Sequence, residues 1–340
     1  MRQVYINGEF KKEEVVILIE DYSFGSKGKV FNLAENCGIL KYMLYKHGYR
    51  FFTVPPTVVK KYATGNSKFM PIMGMQVHYR DEGNPQDSIP LVLIHGTSSS
   101  LHTWEKVTAI LNDANHGNKR VISLDMPAFG LTGPNLENSY AYDNYTQVID
   151  SLLIKLGVKK CMIGGNSLGG GIAWHYAVTL PQKVSKLILI DATGYPMKNE
   201  KGSLGFKIAK MPVINNLLLF ITPKSLVRKS LEDAYYDLNL LEETSVTRYH
   251  ELLLCEGNRK ATLSLFKHPF TQNTELIKTI EMPTLILWGK EDGLISVENA
   301  YSFNKDIKNS KLVIFNKVGH VPNEEAPQKV AEAIYDFIWN

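Results

Sequence analysis

The sequence predicts an α/β protein in which a mostly parallel sheet is flanked by helices and interrupted by a helical insertion. Short apolar runs of strand length alternate with longer segments of helical periodicity. This alternation is typical of parallel strands joined by right-handed helical crossovers. Between two such stretches, one segment contains helical patterns alone. We therefore expect an N-terminal extension of residues 1–62, a core of residues 63–194 and 273–340, and a helical cap of residues 195–272.

Length and composition are those of an ordinary globular chain. The 340 residues are 44% hydrophobic and 21% charged, and a chain of this size can bury a large core. Three widely spaced cysteines indicate neither a disulfide framework nor a zinc site, so we expect a reducing, cytoplasmic location. No apolar run has the length of a signal-peptide core or a membrane span.

The net charge of +4 is concentrated in the N-terminal extension. Residues 1–62 carry ten Lys/Arg against six Asp/Glu, whereas the rest of the chain carries 28 of each sign. The core therefore lacks the basic footprint of a nucleic-acid-binding protein, and we expect no nucleic-acid partner. Residues 39–54 mix aromatic and basic side chains, a pattern typical of peripheral contact with a membrane surface. The alternative, which we favour, is that this segment packs on the protein's own body.

Residues 1–62 give the weakest structural signal. We predict short strands at residues 4–6 and 15–19 and an aromatic, basic helix over residues 39–52. A lid, a membrane anchor and a dimer arm are all open as roles for this region, as is the oligomeric state of the protein.

Hydrophobic periodicity predicts each later element in turn. Residues 68–72 and 75–80 alternate like the two strands of a hairpin. Continuous apolar runs then predict strands that are buried on both faces. These runs are residues 90–94, 121–124, 161–163, 187–190, 283–289 and 311–315, and helices are predicted at residues 142–156, from Leu168 through Leu180, at 226–236 and 245–254 in the cap, and at 327–339.

Gly165-Asn166-Ser167-Leu168-Gly169 lies where a predicted strand meets a predicted helix. In this context the G-x-S-x-G pattern is typical of a sharp turn that holds a serine hydroxyl above the sheet at a helix N-terminus. The elbow glycines, Gly165 and Gly169, place no side chain in the way of that turn. Ser167 is therefore the candidate nucleophile.

Two further polar residues, Asp292 and His320, each follow a predicted strand. The carboxyl ends of parallel strands meet at the edge where open α/β sheets place their active sites. A serine hydroxyl is a weak nucleophile, so His320 would accept its proton, and Asp292 would orient the imidazole. Asp191 also follows a strand and is the alternative acid.

An acyl-transfer site also needs donors for the oxyanion of its tetrahedral intermediate. The backbone N–H groups of Leu168, at the start of the helix, and of Thr97, in the loop after residues 90–94, are the natural candidates. The candidate substrate pocket includes His95, Gly96, Asn166 and His102.

Other polar residues have alternative, structural interpretations. We expect Asp125 to stabilise a turn and His95 to form a hydrogen bond within its own loop, with a place in the pocket as the alternative for His95. For His102, a surface position is the alternative to the pocket. We interpret Arg248, Tyr249 and Arg259 as a solvated face of the cap, with substrate contact as the alternative.

Five segments resemble the successive signatures of α/β-hydrolases, and the resemblance covers about residues 63–340. It implies an eight-stranded sheet with a helical cap and a Ser–Asp–His triad, and we expect neither a metal nor an organic cofactor. A serine at position 167 excludes the branches with an aspartate nucleophile, namely epoxide hydrolases and haloalkane dehalogenases. The five segments are His95-Gly96, Asp125–Gly130, Gly165–Gly170, Gly289–Asp292 and Gly319-His320.

The leading prediction is a carboxylesterase or lipase-like enzyme that cleaves a small-molecule ester of an apolar acyl group. The Gly-Asn-Ser elbow also resembles that of carbon–carbon hydrolases acting on ring-cleavage products. Those enzymes usually carry a glycine-rich oxyanion loop and a tryptophan after the catalytic histidine, whereas this chain has Thr97–Ser100 and Val321. A ligand-binding protein with slow or no turnover is the third hypothesis.

Overall fold

The computed structural model describes most of the chain beyond residue 55 and short pieces before it. The described residues are 17–20, 43, 46, 51–54, 56–113, 117–135, 137, 139–196, 219, 221–267 and 273–339. Among them, no helix is long and apolar enough to cross a bilayer.

An eight-stranded sheet is the centre of the described structure. Its strand order is β10-β9-β8-β7-β5-β6-β4-β3, and a separate parallel pair is formed by β1 and β2. Strand β4 is antiparallel to both of its neighbours, β3 and β6, and the remaining pairs of the large sheet are parallel. The strands are β1 (Ile17–Glu20), β2 (Phe51–Val54), β3 (Ser67–Ile72), β4 (Met75–Glu82), β5 (Leu91–Ile94), β6 (Val121–Leu124), β7 (Cys161–Asn166), β8 (Val184–Ile190), β9 (Thr284–Gly289) and β10 (Ser310–Phe315).

Helices cover both faces of this sheet because successive side chains of a buried strand point in opposite directions. In β5, Val92 and Ile94 join one apolar cluster, while Leu91 and Leu93 join the other. Helices α3 and α4 contribute to the first cluster, and α2 and α10 to the second. The helices are α1 (Pro56–Tyr62), α2 (Glu105–Leu111), α3 (Tyr142–Lys155), α4 (Leu168–Thr179), α5 (Lys224–Glu232), α6 (Glu243–Leu253), α7 (Asn258–Lys267), α8 (Glu298–Asp306), α9 (Pro322–Glu325) and α10 (Pro327–Trp339).

Register brings the carboxyl ends of the central strands together. Asn166, the last residue of β7, pairs with Ile190, the last residue of β8, and Ile190 pairs with Leu287 of β9. On the other side of β7, Gly165 pairs with Ile94, the last residue of β5. Residues that directly follow these strands therefore share one edge of the sheet.

The predicted fold class is confirmed, since a mostly parallel sheet with helices on both faces is present. The three-region division of the chain stays a prediction. Helices α5, α6 and α7 do lie between β8 and β9, where the cap was expected.

The elements predicted in residues 1–62 agree with the structure only in part. Residues 4–6 lie outside the described residues, and β1 begins at Ile17. Met43 and Lys46 are helical, but Phe51 and Phe52 belong to β2, so the predicted helix over 39–52 is wrong at its end. Strand pairing of Phe51 with Ile17 accounts for this difference, because local aromatic periodicity carries no information about such a distant partner. Membrane contact through residues 39–54 stays a prediction.

Candidate active site

Ser167 occupies a left-handed backbone conformation between β7 and α4, with φ 57° and ψ −119°. Such a conformation is costly for a residue with a side chain, at about 1–3 kcal/mol, and is retained where the surrounding structure enforces it. The elbow glycines explain how it fits. A methyl group at Gly165 would overlap the main chain of Gly169, and one at Gly169 would overlap the carbonyl of Ile94. Ser167 itself is partly exposed, so its hydroxyl is accessible to a substrate.

His320 and Asp292 form a hydrogen-bonded pair at the same edge of the sheet. The distance from His320 Nδ1 to Asp292 Oδ2 is 2.8 Å, and the two side chains are 6% and 0% exposed. Asp292 Oδ1 also accepts hydrogen bonds from the backbone N–H groups of Leu294, at 2.7 Å, and Ile295, at 2.9 Å. These donors fix the orientation of the Asp292 carboxyl group relative to the imidazole. A proton on Nδ1 then leaves Nε2 of His320 free to act as a base.

Asn166 connects this pair to the elbow. Its side-chain amide donates to the backbone carbonyl of His320 at 2.9 Å and to that of Ile190 at 3.3 Å. The histidine backbone is therefore fixed against the residue that precedes the nucleophile. The hydroxyl of Ser167 forms no hydrogen bond with any described residue. The structure thus joins the predicted acid and base, and the serine–histidine contact stays a prediction.

The loop after β5 lies directly against the elbow. A methyl group at Gly96 would be 3.1 Å from Ser167 Cβ and 3.2 Å from Asn166 Oδ1. Within the described part of the chain, the N–H groups of Thr97 and Leu168 donate no hydrogen bond, so both are available to a ligand. Thr97 follows Gly96, and Leu168 follows Ser167. This arrangement suits an oxyanion hole.

The two pocket histidines are engaged within the protein. His95 is 1% exposed; its Nδ1–H donates to the Gly96 carbonyl at 2.7 Å, and its Nε2 accepts the Met126 N–H at 3.0 Å. His102 is 6% exposed; its Nε2–H donates to the Tyr62 carbonyl at 3.0 Å. Burial lowers the pKa of His95 and lowers that of His102 to about 4, so both are neutral near pH 7. Neither ring has a nitrogen free for a substrate, and their pocket role stays a prediction without support from these contacts.

Asp125 stabilises the loops beside the oxyanion segment, as the sequence led us to expect. Its carboxylate accepts hydrogen bonds from the backbone N–H groups of Leu101 and Leu131, at 2.7 Å and 2.8 Å. The Nδ1 atom of His78 lies 2.7 Å from its Oδ2. Burial alone would raise the pKa of Asp125, but the charge and hydrogen bond of His78 outweigh it, and the pKa lies well below its usual value.

Glu324, four residues after His320, is a site residue that the sequence analysis missed. Its Oε1 accepts hydrogen bonds from the hydroxyl groups of Thr103, at 2.5 Å, and Tyr249, at 2.6 Å. Its Oε2 accepts one from Tyr235 at 2.7 Å. Tyr249 lies in the cap helix α6 and Thr103 lies beyond the oxyanion loop, so this one carboxylate joins the cap, the loop and the segment after the histidine.

Glu325 has a similar role towards the histidine loop. Its carboxylate accepts the N–H of Gly319 at 2.7 Å, that of Tyr236 at 2.9 Å and that of Asp237 at 3.1 Å. The N–H of His320 donates to the Ala234 carbonyl at 2.7 Å. Burial raises the pKa of Glu325, although the three N–H donors oppose this. The loop that carries His320 is therefore held by residues 234–237.

The interpretation of Arg248 and Tyr249 as a solvated face is wrong. Tyr249 is 9% exposed, and the side chain of Arg248 is 17% exposed, with Nη2 4.0 Å from Glu324 Oε2. Both turn towards Glu324, which no local pattern in α6 could reveal. The sequence did contain one signal for this contact, the pair Glu324-Glu325 shortly after His320. Arg259 is half-buried.

Asp191, Asp292 and His320 are the one group of described residues whose spacing would suit a metal ion, with one ligand atom from each within 4.8 Å of the others. The Nδ1 of His320 and the Oδ2 of Asp292 already face each other across a hydrogen bond. We therefore interpret Asp292 and His320 as an acid–base pair, with Asp191 as a second carboxyl group behind it.

Comparison with known proteins agrees with this geometry. A family model described as alpha/beta hydrolase fold matches residues 89–212. The chain is similar to the uncharacterized hydrolase YugF of Bacillus subtilis, with 29% identity over 78% of this chain and 95% of that protein. It is similar to 2-hydroxy-6-oxononadienedioate/2-hydroxy-6-oxononatrienedioate hydrolase 1 of Pseudomonas putida, with 27% identity over 80% of this chain and 96% of that protein.

Among solved structures, the fold is shared with a thermophilic esterase from Thermogutta terrifontis, at a TM-score of 0.65 and 21% identity, over 78% of this chain and 93% of that one. The sheet order, the left-handed serine and the family match all agree. The chain therefore has the α/β-hydrolase fold, and it is similar in sequence to hydrolases.

Proposed function

We propose that this hydrolase cleaves carboxylic esters of apolar acyl groups through a covalent acyl-enzyme on Ser167. The observation that carries the proposal is the conformation of Ser167, partly exposed at φ 57° between two unengaged N–H donors. A hydroxyl so placed can attack a carbonyl carbon while the oxyanion forms beside Thr97 and Leu168.

The proposed mechanism has two steps. In acylation, Ser167 Oγ attacks the ester carbonyl, Nε2 of His320 takes the hydroxyl proton, and the alcohol leaves with that proton. In deacylation, His320 takes a proton from water as the water oxygen attacks the acyl carbon, and it returns that proton to Ser167 Oγ as the acyl–Oγ bond breaks and the acid leaves. Asp292 stabilises the imidazolium in both steps. Rotation of the serine side chain towards His320 is required, and such hydrogen bonds often tighten only when substrate is bound.

The charges around the site favour a neutral substrate. Asp292 is bonded to the His320 ring, and Glu325 is bonded to the N–H of the adjacent Gly319. Glu324 lies four residues after the histidine, and Arg248 lies 4.0 Å from it. A dicarboxylate would meet net negative charge there, and like charges are costly at close range. An uncharged ester avoids this repulsion.

Apolar side chains near the histidine loop support an apolar acyl group. Tyr236, Leu238 and Leu240 are 47%, 52% and 46% exposed. The backbone N–H of Tyr236 is bonded to Glu325, which also holds the loop of His320. Exposed apolar residues in or next to the segment that holds the loop of His320 are suited to contact a hydrophobic substrate.

The test is a series of p-nitrophenyl acyl esters of increasing chain length, together with labelling by a fluorophosphonate probe. We expect turnover that rises with acyl length, and both turnover and labelling should be lost in Ser167→Ala, by at least about 10³-fold in kcat/KM. Ser302→Ala, which changes a partly exposed serine of α8, is the matched control and should leave both unchanged.

Carbon–carbon hydrolysis is the second candidate, because the similar protein from Pseudomonas putida is named for a dienedioate substrate. A 2-hydroxy-6-oxo-dienedioate assayed beside the esters separates the two reactions. Faster turnover of the dienedioate than of any ester would overturn the ester proposal. Retention of an ester without turnover would favour slow, receptor-like binding, consistent with the unbonded Ser167 hydroxyl.

A further inference from the structure

Asp191 is a buried carboxyl group that the proposed mechanism does not use. It follows β8 directly, at φ 43°, and its N–H donates to the Leu287 carbonyl of β9 at 3.1 Å. The residue is 0% exposed. One of its carboxyl oxygens lies within 4.8 Å of a carboxyl oxygen of Asp292 and of a ring nitrogen of His320. Asp191 therefore lies next to the pair of Asp292 and His320, at the carboxyl end of β8.

The two aspartates differ in the donors that they receive. Asp292 accepts two backbone N–H groups on Oδ1 and faces His320 Nδ1 with Oδ2. Asp191 accepts a single backbone N–H, from Gly289 to Oδ1 at 3.0 Å. Its Oδ2 is buried and has no hydrogen-bond partner. An ionised Asp191 would therefore leave an unpaired buried charge on Oδ2, which is among the most costly arrangements in a protein interior.

Two buried carboxyl groups at this distance do not both ionise. The negative charge goes to the group with more donors, which is Asp292, and the proton goes to Asp191. Burial raises the pKa of Asp191 well above its usual value, and the charge of Asp292 raises it further. The charged or titratable groups that face Asp191 are Asp292, His320 and Glu325.

We propose that Asp191 is protonated at neutral pH and directs its Oδ2 proton towards Asp292, so that it limits the negative charge that Asp292 presents to His320. Asp191 is a positioning residue in this role, because it acts on His320 through Asp292. A neutral hydrogen-bond donor beside Asp292 makes that carboxylate a weaker partner for the imidazolium. The inference rests on the proposed function, in which His320 is the base.

Two variants of Asp191 test the proposal. Asp191→Asn keeps a neutral N–H donor towards Asp292 and an oxygen for the Gly289 N–H. Asp191→Ala removes the donor. The measurement is the titration of the His320 ring by NMR in the full chain, assigned from the signal lost in His320→Gln, alongside the pH profile of kcat/KM for a p-nitrophenyl ester.

We expect Asp191→Asn to hold the His320 midpoint within about 0.3 pH units, since it replaces one neutral donor with another. We expect Asp191→Ala to raise the midpoint, and the acidic limb of the kcat/KM profile, by about one pH unit, because Asp292 loses a donor. A residue with a purely structural role would lower activity without moving the midpoint.

Two results would overturn the proposal. If Asp191→Asn lowers the midpoint by about one unit, Asp191 is ionised in the wild type, since removal of a nearby anion disfavours the imidazolium. If Asp191→Ala leaves the midpoint in place, Asp191 does not control the charge on Asp292. Should the alanine variant not fold, the asparagine variant decides alone. The NMR titration needs no substrate, so a failure of ester hydrolysis is distinguishable from a failure of this inference.

Discussion

Asp125 and Asp191 are buried to the same extent, but their pKa values are shifted in opposite directions. Each directly follows a central strand, β6 or β8, and each is 0% exposed. Asp125 receives two backbone N–H groups and faces His78, and its pKa lies well below the usual value. Asp191 receives one backbone N–H and faces another carboxylate, and its pKa lies well above the usual value. The number and charge of the partners, rather than the depth of burial, therefore set the ionisation state.

The largest expected difference between the two residues is in stability. Asp125→Asn should cost about 3–5 kcal/mol of unfolding free energy, because an amide cannot accept from the N–H groups of Leu101 and Leu131 and from His78 together. Asp191→Asn should not destabilise the protein at pH 7, because a neutral amide replaces a neutral carboxyl group in the folded state and ionisation of the unfolded aspartate no longer opposes folding. Urea denaturation at pH 7 measures both variants. Equal losses would show that burial alone determines the cost and would break the comparison.

The pH dependence of stability should have opposite signs for the two aspartates. The depressed pKa of Asp125 contributes stability above the unfolded-state pKa of about 3.9, and this stability is lost as pH falls through the folded-state value. The penalty of Asp125→Asn should therefore shrink towards acidic pH. The raised pKa of Asp191 contributes stability below about pH 3.9 that is lost as pH rises. Asp191→Asn should therefore gain stability relative to the wild type from pH 4 to pH 7.

We expect the trend for Asp191→Asn to reach about 4 kcal/mol between pH 4 and pH 7, at about 1.4 kcal/mol per pH unit, and the trend for Asp125→Asn to reach about 2 kcal/mol below pH 4. Urea titrations of both variants and the wild type in one buffer series provide the measurement. Parallel curves for the two variants would contradict the assigned charge states.

Glu324 extends the comparison to a carboxylate whose donors are side chains from other elements. Tyr249→Phe removes the hydroxyl that donates to Glu324 Oε1 at 2.6 Å and that lies 2.9 Å from Ser99 Oγ. We expect a loss of about 1.5 kcal/mol, typical of a hydrogen bond to a charged group. We also expect lower kcat with little change in KM, because the bond joins the cap to the oxyanion loop.

Tyr301→Phe is the matched control, since Tyr301 is 48% exposed on α8. It should leave both stability and kcat unchanged. A similar effect of the two substitutions would show that the hydroxyl of Tyr249 has no specific role.

Much of the catalytic edge could be predicted because it follows from local patterns. Apolar runs located the central strands, and the residues that follow them are those at the carboxyl edge of the sheet. The G-x-S-x-G spacing is also a local pattern, and it predicted the sharp turn at Ser167. Two positions of that turn have no room for a Cβ, so they require glycine.

The residues that were missed act through contacts between distant elements. Glu324 bonds to Tyr249, 75 positions earlier, and nothing in the periodicity of α6 distinguishes a tyrosine that faces this carboxylate from one that faces solvent. The proximity of Asp191 to Asp292 depends on β8 pairing with β9, which is a choice of strand order. Strand order is decided by packing of the whole sheet, and single-sequence patterns do not determine it.

The smallest expected effect belongs to a partly buried carboxylate that pairs with an exposed lysine. Glu251 of α6 accepts hydrogen bonds from Lys61 Nζ at 2.9 Å and from the Tyr62 hydroxyl at 2.7 Å, and so links α1 to the cap. The side chains of Lys61 and Glu251 are 50% and 33% exposed. Lys61→Ala should therefore cost only about 0.5 kcal/mol, and the cost should fall further in high salt.

Lys278→Ala is the matched comparison, because it breaks another exposed ion pair, in which Lys278 Nζ lies 2.8 Å from Glu275 Oε2. The difference between the two variants measures the effect of the link to the cap. Urea denaturation at low and high salt measures both. A cost for Lys61→Ala well above that of Lys278→Ala, and insensitive to salt, would mean that the link to α1 stabilises the cap by more than its exposed charges can. The contribution of a carboxylate to stability would then depend on more than the number and charge of its partners. It would also depend on whether the carboxylate joins separate elements of the fold.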